Sequence, residues 1–352
     1  MSDVRTLAVA FAVTLATILG GAALTGYVTA DGAAPAPEIQ NEHYVDGDAV
    51  ANDTPGEATV EMAAATRSQT VLVDPGVEPQ GALPSSPLAL LGFGGPGVAD
   101  RDVRPLANAL IENGHDVGVY VPDPEQQRAV PPGAEQGPTQ LGERLAEADA
   151  FVTFRTDYDE RELDEIESFV ESGGHVIVAT EPDAAFDQPG AAALDATLGV
   201  TTDPGYVYNM AENDLNYQRV YAEPPESDAA LTEGVDRVVL PSATPVGTTA
   251  AGTDVLRPIA GSELSTTRAP TEAPLLVRND EVVMVGDSDF LSPENAQRAD
   301  NDALIGNLAD FLVTNDRTPP GAGSGQPPSG PTAPDEPSEE PPEEPPENRT
   351  AG

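Results

Sequence analysis

Acidic side chains dominate this sequence and limit the conditions under which it can fold. Its 352 residues include 60 Asp or Glu against 16 cations, all of them Arg, for a formal charge of −44. In dilute solution such charge opposes any compact state by self-repulsion. Because the screening length falls to about 3 Å at 1 M salt, the composition fits a protein that folds in concentrated brine. It is typical of an extremely halophilic archaeon.

The composition also excludes several functional classes. A chain this acidic cannot bind nucleic acid through Lys and Arg, so no nucleic-acid partner is expected. Cys is absent, which removes disulfides, thiolate metal sites, lipid-modified Cys and a Cys nucleophile. No cofactor is predicted.

One apolar segment of membrane-spanning length lies at the N-terminus. Every residue between Arg5 and Asp31 is uncharged, and Leu7–Val28 is the apolar centre. A bilayer core of about 30 Å needs about 20 helical residues, so residues 1–30 are predicted to be a single transmembrane signal-anchor. Arg5 on the short side places the bulk of the chain outside the cell membrane. Cleavage after Ala30 is the alternative.

Two segments of biased composition flank the part that can fold. Residues 31–67 lack periodicity and are predicted to be a flexible tether. Residues 317–352 are predicted to be a disordered tail, because 11 of the 35 residues from Thr318 onward are Pro and 7 are acidic. Sequons at Asn52 and Asn348 fall in these segments, where glycosylation would be sterically possible.

Residues 68–316 alternate between strand-like and helix-like patterns. Buried strands are predicted at Pro87–Phe93, Val117–Val121, Ala150–Phe154 and Val176–Ala179. Amphipathic helices are predicted at Asp102–Asn113, Leu141–Ala148 and Asp159–Ser172. This order predicts an α/β domain whose parallel sheet carries helices on both faces.

After Gly199 the pattern changes, and residues 200–272 are interpreted as an inserted segment. Its strand candidates are Val235–Leu240 and Val255–Ile259. The α/β layer is expected to resume with a hairpin and a last helix, at Leu275–Val277, Val282–Val285 and Asn301–Val313.

Gly92–Gly97 match G-x-G-x-x-G between a predicted strand and a predicted helix. Such a turn could bring backbone N–H groups onto a pyrophosphate at the helix N-terminus. Pro96 removes one donor, and Asp100 and Asp102 already occupy the positive end of the helix dipole. A flexible loop is therefore favoured over a dinucleotide site.

Carboxylates follow several of the predicted parallel strands. The candidate ligand or cation residues are Asp123, Glu181, Asp183, Asp287 and Asp289. Because parallel strands end at one edge of the sheet, these side chains could converge and hold Mg²⁺, Ca²⁺ or Na⁺. The alternative is that these acids belong to the acidic residues distributed over the whole chain for solubility. In that case Asp287 caps the loop and the helix that follow it.

The segment Gly286–Phe290 resembles a hydrolase nucleophile elbow but lacks its final Gly. The histidines, His43, His115 and His175, are isolated, and none follows Ser288. No catalytic residue is predicted.

Four tyrosines of the inserted segment form a second candidate site: Tyr206, Tyr208, Tyr217 and Tyr221. Tyr gives large contact area at low entropy cost, so the cluster could be a recognition surface. The alternative is ordinary packing of the inserted segment.

Three stretches resemble a known family: Arg104–Val117, Glu162–Val178 and Val283–Leu291. The second carries Phe169-Val170 and then Gly173-Gly174 at a helix-to-strand joint. Together they resemble membrane-anchored domains of unknown function related to class I glutamine amidotransferases. The third is also similar to auxiliary subunits of gliding-type ABC transporters.

This resemblance implies a flavodoxin-like, amidotransferase-like sheet over about residues 85–314. The true amidotransferases have a Cys nucleophile at a strand–helix elbow, whereas here Thr180-Glu181-Pro182 follows the fourth strand. Their mechanism therefore does not carry over. The resemblance also implies an extracytoplasmic protein partner in a membrane or ATPase assembly.

Three functions remain open. The leading one is a non-catalytic, membrane-tethered binding or scaffold module. The second is a cation-dependent hydrolase that uses the sheet-edge carboxylates. The third is a solute-binding or accessory subunit of an ABC-type transporter, with residues 200–272 closing over a ligand.

Overall fold

The computed structural model describes residues 11–17, 59–76, 89, 91, 102–122, 137–182, 184, 190–225, 230–249 and 252–317. The chain divides into two compact units, Met1–Thr54 and Pro55–Gly352. In the first unit, residues 11–17 are helical. Within the described ranges, no helix has the length and apolar character needed to cross a bilayer. Most of the predicted anchor, the first part of the tether and the tail from Thr318 lie outside these ranges.

The second unit is built from strands and helices that alternate in its first half. The strands are β1 (Thr70–Asp74), β2 (Asp116–Val119), β3 (Ala150–Thr153), β4 (His175–Ala179), β5 (Val200–Thr202), β6 (Val207–Tyr208), β7 (Val220–Glu223), β8 (Val238–Leu240), β9 (Val246–Thr248), β10 (Thr253–Pro258), β11 (Glu263–Leu264), β12 (Leu276–Asn279) and β13 (Val282–Val285). The α-helices are α1 (Arg104–Glu112), α2 (Gln140–Glu147), α3 (Glu160–Glu171), α4 (Ala191–Leu198), α5 (Pro293–Ala296) and α6 (Asn301–Val313), and a 3₁₀ helix spans Asp289–Leu291.

A nine-stranded sheet in the order β2-β1-β3-β4-β13-β12-β10-β7-β8 forms the centre of this unit. From β2 to β13, neighbouring strands pair in parallel. From β13 to β8, all pairs are antiparallel. The α/β prediction is therefore confirmed, but the all-parallel sheet is corrected to a mixed one.

The direction of the sheet changes at the hairpin between β12 and β13. Asp280 turns it with a φ of 51°, and a tight turn of this kind can join only antiparallel strands. Three strands from residues 200–272, β7, β8 and β10, continue the sheet beyond this hairpin. That segment thus lengthens the central sheet.

The first strand is β1, and the predicted strand Pro87–Phe93 is wrong. Of that stretch only positions 89 and 91 are described, both in 3₁₀ geometry, and Leu91 is buried. Both runs are short and apolar, and periodicity cannot separate two such runs. β1 lies inside the sheet, between β2 and β3, and Val71, Leu72 and Val73 are apolar towards both of its faces.

Helices cover both faces of the parallel half. One core cluster holds α1 and α6, and the other holds α2, α3 and α4. α3 starts with a capping box, because Asp159 accepts the N–H of Glu162 at 2.9 Å while Glu162 accepts the N–H of Asp159 at 3.1 Å. This fixed start holds the residues just before α3 at the sheet edge.

Residues 59–67 pack against the domain. Val60, Met62 and Ala64 contact its core, and the Asp310 carboxylate of α6 accepts the N–H groups of Ala63 and Ala64, both at 2.9 Å. This end of the predicted tether is therefore held on α6.

Candidate functional site

The edge where the parallel strands end carries two clusters of polar side chains. One follows β4 and β13 and contains three of the predicted carboxylates, Glu181, Asp287 and Asp289. The other follows β1 and β3 and centres on Asp74. A third candidate, the tyrosine cluster, lies in the antiparallel half of the domain.

Asp287 is fully buried and serves as a hydrogen-bond acceptor for backbone. Its carboxylate accepts the N–H of Ser242 and the N–H of Asp289, both at 2.7 Å. Burial, and next the nearby charge of Glu181, raise its pKa to about 8. Asp287 thus joins the chain after β8 to the start of the 3₁₀ helix.

Glu181 is bound to the same loop. Its Oε1 accepts the N–H of Ser288 at 3.1 Å and also the Ser288 hydroxyl. The structure therefore brings Glu181 next to the Asp287 loop, as predicted for residues at one sheet edge. The observed bonds of Asp287 and Glu181 are those of side chains that hold a loop in place.

The other predicted ligands, Asp123 and Asp183, lie outside the described residues, as do Gly92–Gly97. Across the ranges given above, no three His, Asp or Glu side chains are placed to hold one metal ion. The cation site stays a prediction.

Asp74 lies at the centre of the second cluster, which the sequence analysis did not predict. It is buried at the end of β1, accepts the Tyr158 hydroxyl at 2.9 Å and accepts the N–H of Gly76 at 2.9 Å. The Tyr158 hydroxyl also lies 2.6 Å from the Thr153 hydroxyl at the end of β3. One phenol therefore links the ends of two neighbouring strands.

Arg155 provides the cation of this cluster. Its guanidinium lies 4.3 Å from the centroid of the Tyr158 ring, 2.7 Å from Glu162 and 3.9 Å from Asp74. Burial raises the pKa of Asp74 and, well above its ordinary value, that of Tyr158. These residues meet between β1 and β3, where the chain order across the sheet reverses and where open α/β folds bind ligands.

A signal for this cluster was present in the sequence. Asp74 ends an apolar run, and Thr153 ends the next strand of the sheet, so both had to reach the same edge. The prediction of Pro87–Phe93 as the first strand hides this signal, because it leaves Asp74 outside the predicted sheet.

Three of the four predicted tyrosines form one array, which we call the tyrosine array: Tyr206, Tyr208 and Tyr217. Ring centroids are 6.3 Å apart for Tyr206 and Tyr208 and 6.2 Å apart for Tyr208 and Tyr217, each pair edge to face. Tyr206 and Tyr208 share a face because they are two residues apart on an extended chain. The Tyr208 hydroxyl donates to Glu263 on the paired strand β11, which fixes its ring.

Tyr221 lies apart from the array. Its ring packs beneath Arg237, whose guanidinium is 4.9 Å from the ring centroid. The structure brings three of the four predicted tyrosines together and leaves the fourth in a separate contact.

The tyrosine loop, residues 209–219, carries exposed apolar side chains next to the array. Met210 and Leu215 are each 73% exposed, and Tyr217 is 43% exposed. Leu215 has a φ of 64°, a conformation that is rare for a branched residue and persists only where its surroundings impose it.

Partly buried hydrogen bonds and ion pairs hold this loop. The amide oxygen of Asn209 accepts the N–H of Ala211 at 3.0 Å and of Glu212 at 2.9 Å. Asp214 pairs with Arg219 at 3.0 Å and with Arg298 at 3.1 Å. The loop therefore presents its apolar side chains from a fixed backbone.

A groove of about 300 Å³ lies elsewhere, between α1, α5 and residues 59–60. Arg104, Asn108 and Gln297 are among its lining residues. It includes neither the sheet-edge carboxylates nor the tyrosines.

Fold and site together define an α/β domain of flavodoxin-like strand order with an antiparallel extension. Residues 142–309 match a domain of unknown function, DUF4350. No curated protein matches the sequence.

Several solved structures are similar to this chain at low sequence identity. The N-terminal domain of mmIFT52 is 11% identical with a TM-score of 0.50, over 70% of this chain and 99% of that one. The cytoplasmic protein STM3548 from Salmonella typhimurium is 12% identical with a TM-score of 0.42, over 70% and 99%. A thua-like protein from Parabacteroides merdae is 11% identical with a TM-score of 0.42, over 72% and 94%. These matches give no support to the resemblance to glutamine amidotransferases or to a haloarchaeal origin.

Proposed function

We propose that this protein is a non-catalytic binding or scaffold module of a membrane assembly. An N-terminal helix tethers it to the cell membrane, and its domain lies outside the cell in concentrated salt. Its scaffold is amidotransferase-like without that chemistry, and its partner is another protein. The tyrosine array and the tyrosine loop form the surface that recognises this partner.

One observation carries this proposal. The tyrosine loop exposes Met210, Leu215 and Tyr217 from a backbone that partly buried hydrogen bonds and ion pairs hold in place. Contact with water is unfavourable for apolar side chains, so covering them with a partner lowers the free energy. A loop that is already ordered loses little conformational entropy when it binds.

The bonds at the sheet edge support a non-catalytic role. Asp287 accepts the N–H groups of Ser242 and Asp289, and Glu181 accepts that of Ser288. No histidine follows Ser288 in the sequence to activate it. The uncharged run from Thr6 to Ala30 supports the membrane tether.

Site-specific photo-cross-linking tests the binding role. The full chain carries a photo-cross-linking amino acid at position 217, or at position 111 as a matched control, in cells grown in molar salt. Tyr217 and Ile111 are both 43% exposed, so random contacts should label them alike. We expect a discrete cross-linked partner from position 217 only. Equal labelling from both positions, or none from position 217, would contradict the proposal.

Protease treatment of intact cells tests the orientation. The tail from Thr318 should be digested if the domain lies outside the membrane. Full protection of the tail in cells that remain sealed would show that the orientation is wrong.

A further inference from the structure

Arg268 is an exposed cation next to the tyrosine array. Its charge acts on the Tyr208 phenol, and among the described residues its side chain makes no ion pair or hydrogen bond. The neighbouring arginines of this half of the domain, Arg219, Arg237 and Arg298, all pair with acids. In a chain with 60 acidic residues, an Arg that pairs with no acid of the described ranges and lies beside three Tyr suits a ligand that carries a carboxylate.

The geometry of the array favours one shape of ligand. Successive rings are inclined by 62° and 89°, so they form ridges with slots between them and not a flat platform. A sugar stacks on an open ring face, whereas proline-rich segments in the PPII conformation dock their rings between aromatic ridges.

The chain itself contains a segment of this chemistry. Asp335 and Glu336 lie within a run that has Pro at every third position: Pro328, Pro331, Pro334 and Pro337. A PPII helix has three residues per turn, so these four prolines would share one edge.

We propose that the tyrosine array and Arg268 bind an acidic proline-rich segment, and that residues 328–337 of this chain are that segment. The inference rests on the proposed function, because it takes the array to be the recognition surface. Proline rings occupy the slots between the tyrosines, and Asp335 or Glu336 pairs with Arg268.

The tail has the reach for this contact. Ten residues separate Arg317 from Pro328 and span about 31 Å in PPII geometry. Arg317 is held at the carbonyl of Leu145, before β3. The tyrosine loop precedes β7, which lies five strands further along the sheet, about 24 Å away. Because β7 runs antiparallel to β3, it begins at the opposite edge of the sheet, which adds about 13 Å along the strands and gives about 27 Å in all. The segment can therefore meet the array of its own chain or of a second copy.

Titration with a synthetic peptide tests the inference. The probe is a fluorescently labelled peptide of residues 324–340, and the receptor is the full chain with P328A, P331A, P334A and P337A, so that its own tail does not compete. Anisotropy is measured in molar salt. We expect saturable binding, and at least about tenfold weaker binding to receptors that also carry Tyr217→Ala or Arg268→Glu.

Two controls accompany the titration. Ile111→Ala, at a site as exposed as Tyr217, should leave the affinity unchanged, and a peptide with the four prolines replaced by Ala should bind at least about tenfold more weakly. No saturable binding, or equal binding by the Ala peptide or by the Tyr217→Ala receptor, would overturn the inference.

Photo-cross-linking from position 217 of the otherwise native chain separates the two sources of the segment. An intramolecular link that is independent of concentration identifies its own tail, and a covalent dimer identifies a second copy. Another protein captured at position 217 without peptide binding would overturn this inference and leave the proposed function standing. Peptide binding with no protein other than this chain captured in cells would support this inference and the array as a recognition surface. It would contradict the proposal that the partner is another protein.

Discussion

Gly286 lies so close to Thr244 that any side chain at position 286 would overlap the Thr244 carbonyl oxygen. The N–H of Thr244 donates to the Gly286 carbonyl at 2.7 Å. The contact places the end of β13 against the chain that follows β8. Asp287, the next residue, can then accept the N–H of Ser242.

Gly286→Ala should destabilise the domain by about 3 kcal/mol, because the added methyl group must displace buried backbone. Gly137 is the matched control, since a Cβ there meets nothing within 4 Å, and Gly137→Ala should change stability by no more than about 0.5 kcal/mol. Urea unfolding in molar salt measures both. Equal midpoints would show that the close approach does not matter for stability.

Asp287 should make stability depend on pH. Its pKa is raised from 3.8 to about 8 in the folded state, so between these values the folded chain binds a proton that the unfolded chain has lost. The free energy of unfolding therefore decreases as pH rises through this range, by up to about 1.4 kcal/mol per unit for one proton.

Asp287→Asn removes this titration. Urea unfolding at fixed molar salt from pH 4 to 8 should give a smaller decrease for the Asn variant than for the parent chain, since the other acids contribute to both. Parallel curves would contradict the raised pKa.

Tyr158→Phe should cost about 1–3 kcal/mol, because it removes the hydroxyl that lies between Asp74 and Thr153 and leaves buried oxygens with one partner fewer. Tyr221→Phe keeps the ring contact with Arg237 and should change stability by no more than about 0.5 kcal/mol. Thermal unfolding compares the two. A Tyr158→Phe variant as stable as the control would show that the Asp74 cluster does not support the fold.

Salt should decide whether the domain folds. With a formal charge of −44 over the whole chain, self-repulsion opposes compaction until salt of about 1 M shortens the screening length to about 3 Å. Circular dichroism of residues 55–352 across a salt series should show cooperative folding only at molar salt. A native spectrum in dilute buffer would contradict this expectation.

Local sequence patterns predicted most elements of the fold. The helix predicted over Asn301–Val313 has the bounds observed for α6. The helix predicted over Asp159–Ser172 corresponds to α3, which Asp159 caps at its start. Gly173-Gly174 follow its end, as the sequence predicts. These elements follow from a periodicity of 3.6 residues and from end signals within one segment.

Features that depend on distant parts of the chain were missed. β1 is five residues long, and only its pairing with β2 and β3 distinguishes it from Pro87–Phe93. The antiparallel extension and the gap between Tyr221 and the tyrosine array both depend on how β7 pairs with β8 and β10, which no local pattern specifies. The sequence therefore allowed the tyrosines to be proposed as a site, but it did not show which of them lie on one surface.

Partner capture by two variants, one in the tyrosine loop and one at the sheet edge, tests the central claim most directly. Leu215→Asp places a charge in the exposed apolar face of the tyrosine loop, and Asp287→Asn alters the sheet edge. Both are compared with the parent chain by the yield of the partner cross-linked in intact cells, with folding checked by circular dichroism. We predict at least about tenfold loss for Leu215→Asp and none for Asp287→Asn. Loss with Asp287→Asn and full yield with Leu215→Asp would contradict the account and assign recognition to the sheet edge.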